Sequence, residues 1–347
     1  MRYKLLGHSG VRVSEVCLGA MTFGDAWSIG VPKEESRKVF DRFAEAGGNF
    51  IDTAVNYSDG QSEAILGDFL KSDRDHFVVA TKYSGNDVNG MDLNQAGDSR
   101  KNMMLSVERS LKRLQTDYID LYYLHVWDYT TPIEEVLRTA DDLVRQGKIL
   151  YFAISDTPEW MIAEACARAE LMGWTRPVAV QAPYSLAWRD VERGTLPMAK
   201  HWDLAVCTWG MLDGGVLSGK YNFKTKAPRR YEIDQLDERR QKIVIALQEV
   251  ADEAGHTPTQ AALNWVRQCR FAQVIPIIGA RTVEQLDDNL ACLEWTLTDE
   301  QIHQLNSATS FVRGYPEDLL IDCRPYLFGK NFDLLDNHRA GSYLTKA

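Results

Sequence analysis

No CxxC pair occurs among the six cysteines, and the seven histidines show neither HExxH nor any other metal-ligand spacing. A structural zinc site is therefore not expected. Cys17, Cys166, Cys207, Cys269, Cys292 and Cys323 stand singly, mostly in apolar segments, and read as reduced core residues rather than a disulfide framework. Apolar runs never approach the roughly 18 residues that a membrane span requires. The first residues turn at Gly7 before a signal-peptide core could form. Positive charge is scarce: 39 Lys+Arg face 49 Asp+Glu, the net charge is −10, and no basic cluster exceeds the pairs Arg229-Arg230 and Arg239-Arg240. Such a surface repels phosphate backbones and anionic lipid, so nucleic acid and membrane are not expected partners, and the expected compartment is cytoplasmic. Internal repeats, low-complexity tracts and the dinucleotide fingerprint GxGxxG are missing as well.

What is present is an alternation. Short apolar runs at 15–18, 50–52, 77–81, 119–124, 149–154, 178–181, 204–207 and 274–276 are separated by segments of helical periodicity at 34–46, 62–70, 99–114, 132–146, 158–171, 191–201, 239–254 with 259–268, and 283–290. Eight β/α units in 347 residues predict an α/β fold, a (β/α)8 TIM barrel, which takes about 250 residues before insertions. Residues 3–6 and 11–13 flank Gly7 to Gly10 and predict an N-terminal β-hairpin that plugs the bottom of the barrel. The predicted organisation is a single barrel domain over 1–310 and an appended C-terminal segment, 311–347, of unassigned order. Loops at 84–98 and 221–237 exceed ordinary lengths, and long βα-loops belong to the active face of a barrel.

Chemistry on a barrel gathers where strands end. Asp52 ends the second barrel strand with Tyr57 five residues on, Lys82 ends the third, and His125 follows the fourth. A phenol ionises near 10; an ammonium beside it favours phenolate, and a buried carboxylate keeps that ammonium charged, so Asp52, Lys82 and Tyr57 form a chain that tunes an acid. His125 is placed to orient or polarise a carbonyl oxygen. The aromatics after the fourth and sixth strands, Trp127 and Trp188 among them, are expected to wall a substrate pocket. Gly214 to Lys220 reads GxxxxGK, but Tyr221 occupies the position where a P-loop needs Ser or Thr, so only a phosphate contact by Lys220 is retained.

At these residues the sequence resembles the aldo-keto reductases, in particular the subgroup that includes the potassium-channel β-subunits. The matching motifs are Leu18-Gly19-Ala20-Met21-Thr22-Phe23-Gly24, Asp52-Thr53-Ala54-Val55-Asn56-Tyr57, Ala80-Thr81-Lys82, Leu124-His125 with Trp127-Asp128, Gln181-Ala182-Pro183-Tyr184-Ser185, Trp209 through Gly219-Lys220-Tyr221, and Ile278-Gly279-Ala280-Arg281-Thr282 with Gln285 and Asn289. The resemblance implies a nicotinamide cofactor bound without a Rossmann motif, NADPH preferred, and a tetrad of Asp52, Tyr57, Lys82 and His125 with Tyr57 as proton donor. It implies that Ala20, Met21 and Asp52 line the ribose and nicotinamide, that Ser155, Asp156 and Gln181 hold the carboxamide, and that Trp209 stacks on the nicotinamide. It further implies that Gly210, Met211, Leu212, Gly214 and Lys220 follow the pyrophosphate, and that Gly279, Arg281, Gln285, Asp288 and Asn289 hold the adenosine end. Two positions depart from the family pattern: Asp156 replaces the usual Asn, and Trp209-Gly210-Met211-Leu212 replaces Trp-Ser-Pro-Leu. The implied function is reduction of a small-molecule aldehyde or ketone to an alcohol. The alternative is a cofactor-binding regulatory subunit with slow turnover. The sequence specifies no oligomeric state.

Overall fold

The computed structural model of the chain describes residues 1–85, 92–220, 236–309 and 311–334. It divides into two compact units, and the first, Met1–Ala182 with Trp202–Trp209 and Ile275–Ala291, holds the hairpin and the barrel. Strands β1 (Tyr3–Leu5) and β2 (Arg12–Ser14) pair antiparallel, Tyr3 opposite Ser14. Eight parallel strands follow: β3 (Cys17–Gly19), β4 (Phe50–Asp52), β5 (Val78–Tyr83), β6 (Ile119–Leu124), β7 (Ile149–Ser155), β8 (Ala179–Pro183), β9 (Ala205–Trp209) and β10 (Val274–Ile278). They close in chain order, with β10 pairing back to β3. This is the TIM barrel that the eight-fold alternation predicts.

The first barrel strand begins at Cys17 rather than at residue 15, because Glu15 is tied back to the hairpin: its N–H donates to the Arg2 carbonyl (2.9 Å), and its carboxylate accepts from the Arg2 N–H (2.9 Å). Leu6 and Val13 of the hairpin join the barrel core formed by Cys17, Phe50, Val78 and Ile275. Gly7 is left-handed, and a Cβ there would lie 2.2 Å from the Val178 carbonyl oxygen. Only glycine lets the hairpin close against the strand beginnings.

Helices α1 (Lys33–Glu45), α2 (Gln61–Leu70), α3 (Arg100–Leu114), α4 (Ile133–Arg145) and α5 (Glu159–Met172) alternate with these strands. Ser99 caps α3 by accepting from the Asn102 N–H, while Pro132 and Pro158 immediately precede α4 and α5.

The second unit takes in the described residues of Pro183–His201, Gly210–Val274 and Cys292–Ala347. The helix expected over 191–201 is instead a 3-10 turn at Asp190–Glu192 and then α6 (Thr195–Trp202). The reason is local: Gly194 interrupts the run, and the Glu192 carboxylate is taken by the buried Arg189 guanidinium (2.7 Å). Helix α7 (Glu238–Ala254) packs on α8 (Pro258–Arg267). In the first unit α9 (Val283–Leu290) packs on α1. An element absent from the sequence reading, α10 (Asp299–Ala308), is announced by Thr298 and Gln301, which form a capping box. Within the segment left unassigned, α11 (Glu317–Asp322) and α12 (Arg324–Phe328) form. Parts of the two long loops, Tyr221 and residues 335–347 lie outside the described residues. Among the described residues no helix is long and apolar enough to cross a membrane, and no group of three or more His, Cys, Asp or Glu could hold a metal ion.

Candidate active site

Alternation along a strand sends every second side chain inward, and in six of the eight barrel strands a core position is followed two residues on, at or just past the strand end, by a residue of a different kind. Phe50 is followed by Asp52, Ala80 by Lys82, Tyr123 by His125, Ala153 by Ser155, Ala179 by Gln181, and Cys207 by Trp209. The first of each pair belongs to the apolar core. The second stands one layer higher, at the C-terminal mouth. A polar ring over a hydrophobic plug is thus built by the strand period alone.

Lys82 is fully buried, and its ammonium donates to Asp52 Oδ1 (2.5 Å), the Thr53 carbonyl (2.8 Å) and the Tyr57 hydroxyl (3.3 Å). Three donors meet three acceptors, which is what makes a buried ammonium tolerable. Burial works against the charge on Lys82, yet Asp52 and Tyr57 outweigh it and its net shift is upward. Asp52 Oδ2 accepts from Gln181 Nε2 (2.9 Å), so the Gln181 amide orients the carboxylate that holds Lys82. His125 meets Tyr57 edge to face, ring centres 5.8 Å apart. Burial, with the Lys82 charge adding to it, pushes its imidazole down to about 3, so it is neutral at physiological pH.

One expectation is corrected here. The Tyr57 phenol lies above, not below, its ordinary value, because burial outweighs the opposing Lys82 charge. At neutral pH the hydroxyl keeps its proton.

The segment after Tyr57 is strained. Ser58 and Asp59 are left-handed without being glycine (φ 47° and 55°), and Gly60 continues at 87°. Non-glycine residues in this region cost about 1–3 kcal/mol each and persist where the surroundings over-determine them. Asp59 Oδ1 accepts from Trp27 Nε1 (3.2 Å), and the Trp27 ring stands edge-on to Tyr57 at 6.2 Å. Sequence reasoning missed Trp27, which lies between β3 and α1 where no periodic pattern marks it.

The other candidates fall into three groups. In the first unit, Ala20 is buried with its N–H on the Asp52 carbonyl (2.8 Å), and the Met21 carbonyl accepts from Ser58 Oγ (3.4 Å). Asp156 is left-handed (φ 34°); its N–H donates to the Gln181 carbonyl (3.3 Å), and its own carbonyl accepts from the Trp127 N–H (3.4 Å). The Trp209 indole donates to the Asp156 carboxylate. Ser155 Oγ is buried and has no hydrogen-bond partner among the described residues, nor has Trp127 Nε1. The second group lies at the β10–α9 junction, also in the first unit. Gln285 Oε1 accepts from the Arg281 N–H (2.9 Å), and Asn289 Nδ2 donates to the Gly279 carbonyl (3.1 Å). Arg281 is exposed, and Asp288 is half-buried beside them. The third group belongs to the second unit: Gly210, Met211, Leu212, Gly214 and Lys220 lie on a tight turn in which Gly210, Gly214 and Gly219 are left-handed, and Trp188 is half-exposed elsewhere in that unit.

Residues 15–310 match the aldo/keto reductase family. An aryl-alcohol dehydrogenase [NADP(+)] of Phanerodontia chrysosporium is 37% identical, covering 97% of this chain and 91% of its own. The norsolorinic acid reductase stcV of Emericella nidulans is 38% identical, covering 90% and 83%. The aldo-keto reductase ausK of Aspergillus calidoustus is 34% identical, covering 92% and 85%.

Proposed function

The chain belongs to the aldo/keto reductase family and is an oxidoreductase, and on that premise we propose that it reduces aromatic aldehydes or ketones with NADPH, Tyr57 donating the proton. The observation that carries this reading is the fully buried Lys82 ammonium held between Asp52 and the Tyr57 hydroxyl. When bound, the nicotinamide supplies hydride to the carbonyl carbon. Tyr57 donates its hydroxyl proton to the carbonyl oxygen, and the charge that develops on the phenolate is stabilised by Lys82. Asp52, oriented by Gln181, keeps Lys82 charged. His125, neutral for the reason given above, donates a second hydrogen bond to the same oxygen.

The orphaned, buried Ser155 hydroxyl fits a carboxamide partner, and Asp156, Gln181 and Trp209 stand at neighbouring strand ends to complete that contact. The name of one relative, the aryl-alcohol dehydrogenase, favours an aromatic carbonyl. So does the edge-to-face cluster of Trp27 with Tyr57, and of Trp127 with Tyr129 (6.3 Å).

The test is NADPH consumption across a panel of aromatic and aliphatic aldehydes, ketones, quinones and sugars. Turnover fastest on the aromatic carbonyls is expected. Binding of NADPH, seen as tryptophan quenching, with no turnover on any of them would instead assign a regulatory role.

Cofactor preference makes a second expectation. Arg281 sits at the start of α9, where its guanidinium and the helix N-terminus favour one anion. A 2′-phosphate supplies that anion and NADH lacks it. Arg281→Ala is expected to weaken NADPH by about 10- to 150-fold, the worth of a charge-assisted hydrogen bond, and to leave NADH nearly unchanged. Fluorescence titrations of both cofactors decide it, and equal losses would remove the phosphate role.

A further inference from the structure

The segment that carries Tyr57 is held from behind by a charge pair to which the chemistry above assigns no task. Arg113, in the last turn of α3, donates from Nη1 to the Val55 carbonyl (2.9 Å) and to Glu63 Oε2 (3.3 Å). Glu63, in the first turn of α2, is wholly buried, and its other oxygen accepts from Thr81 Oγ1 (2.7 Å). Thr81 immediately precedes Lys82, and Val55 lies two residues before Tyr57 with its N–H on the Lys82 carbonyl (3.1 Å). One carboxylate and one guanidinium therefore tie the Val55 carbonyl to the Thr81 hydroxyl, on either side of the Lys82 Nζ to Tyr57 hydroxyl contact.

The strained turn fits this arrangement. A Cβ on Gly60 would stand 2.6 Å from Arg113 Cζ, so the glycine both adopts the left-handed backbone and leaves the guanidinium its place. Gly67, two turns further along α2, makes room for the backbone of the same residue: a Cβ there would lie 2.3 Å from the Arg113 carbonyl oxygen. Buried ion pairs seldom add stability over apolar residues of the same volume. A pair aimed at the backbone beside the proton donor has a geometric use instead.

We propose that Arg113, paired with Glu63, is a positioning residue that fixes the Tyr57 hydroxyl against Lys82. This rests on the reading of Tyr57 as proton donor. Misplacement of a reacting group by about 1 Å costs on the order of 100-fold in rate.

The experiment compares Arg113→Met, Arg113→Lys and Glu63→Gln with Tyr57→Phe in the full chain. Arg113→Met is expected to lower kcat for reduction by about 10- to 100-fold with NADPH affinity, read by tryptophan quenching, unchanged. In the alcohol-oxidising direction its pH profile should move to higher pH, since a displaced phenol loses the opposing Lys82 charge. Guanidinium added below denaturing concentration should restore part of kcat, and Arg113→Lys should fall between Arg113→Met and wild type. Wild-type kcat and pH profile in folded Arg113→Met, beside an inactive Tyr57→Phe, would overturn the positioning role and leave the proton-donor reading standing. A kcat loss that merely follows the folded fraction, with the pH profile unmoved, would overturn it too. Wild-type turnover by Tyr57→Phe would overturn both. Should Arg113→Met not fold, Glu63→Gln and Arg113→Lys carry the same readouts.

Discussion

Tyr57→Phe is expected to lower kcat/KM for carbonyl reduction by about 100- to 10,000-fold, the usual worth of a general acid, while NADPH binding stays near wild type. The substitution removes one oxygen whose bond in this structure is to Lys82 at 3.3 Å. Lys82 keeps Asp52 and the Thr53 carbonyl, so the cost to folding stays near that of a single hydrogen bond, about 0.5–1.5 kcal/mol. The pH dependence gives the sign. Burial raises the phenol, so it is protonated through neutrality, and His125, pushed down to about 3, does not change charge between pH 5 and 8. Reduction by wild type should therefore be flat across that interval, and oxidation, which needs phenolate, should rise on the alkaline side. Retention of more than about a tenth of kcat/KM by the variant, with hydride transfer limiting, would take the acid role from Tyr57.

Lys82→Met should be nearly as severe, and for a different reason. The ammonium stabilises charge that appears on Tyr57 only as its proton leaves, and removing one such preorganised group costs about 100- to 1,000-fold in kcat. The phenol, already raised by burial, should move further up once the charge opposing that rise is gone, so the oxidation profile shifts to higher pH. The variant also leaves Asp52 buried, with Gln181 as its remaining side-chain partner. Breaking a buried pair on one side costs about 3–5 kcal/mol out of the 5–15 that hold a domain together. The double variant Asp52→Asn/Lys82→Met should recover stability without recovering activity. Thermal unfolding and pH–rate profiles on wild type and both variants separate the two effects. An unshifted profile in Lys82→Met would show that the ammonium does not govern the phenol.

The sequence by itself determined the repeat of eight short apolar runs and periodic segments, because the strand period of 2 and the helix period of 3.6 are local properties that burial imposes residue by residue. It also determined which side chains end the strands. Asp52, Lys82, His125, Ser155, Gln181 and Trp209 each lie two residues beyond a core position on their own strand, an arrangement that is already written in one dimension. Tertiary structure decided what those residues do to one another. Gln181 is 129 positions from Asp52, and nothing local announces that its amide is committed to that carboxylate. The direction of the Tyr57 shift was likewise out of reach, since it is the balance of two large opposing effects, desolvation and the Lys82 charge, and that balance depends on how completely the barrel mouth closes over the phenol. Trp27 and the Arg113–Glu63 pair were hidden for the same reason. A loop aromatic and a charged helix residue look like solvated surface in sequence, and only tertiary packing turns them inward: Trp27 onto the Asp59 carboxylate and the Tyr57 ring, and Arg113, where α2 and α3 approach so closely that Gly60 and Gly67 have no room for a Cβ, onto the Val55 carbonyl.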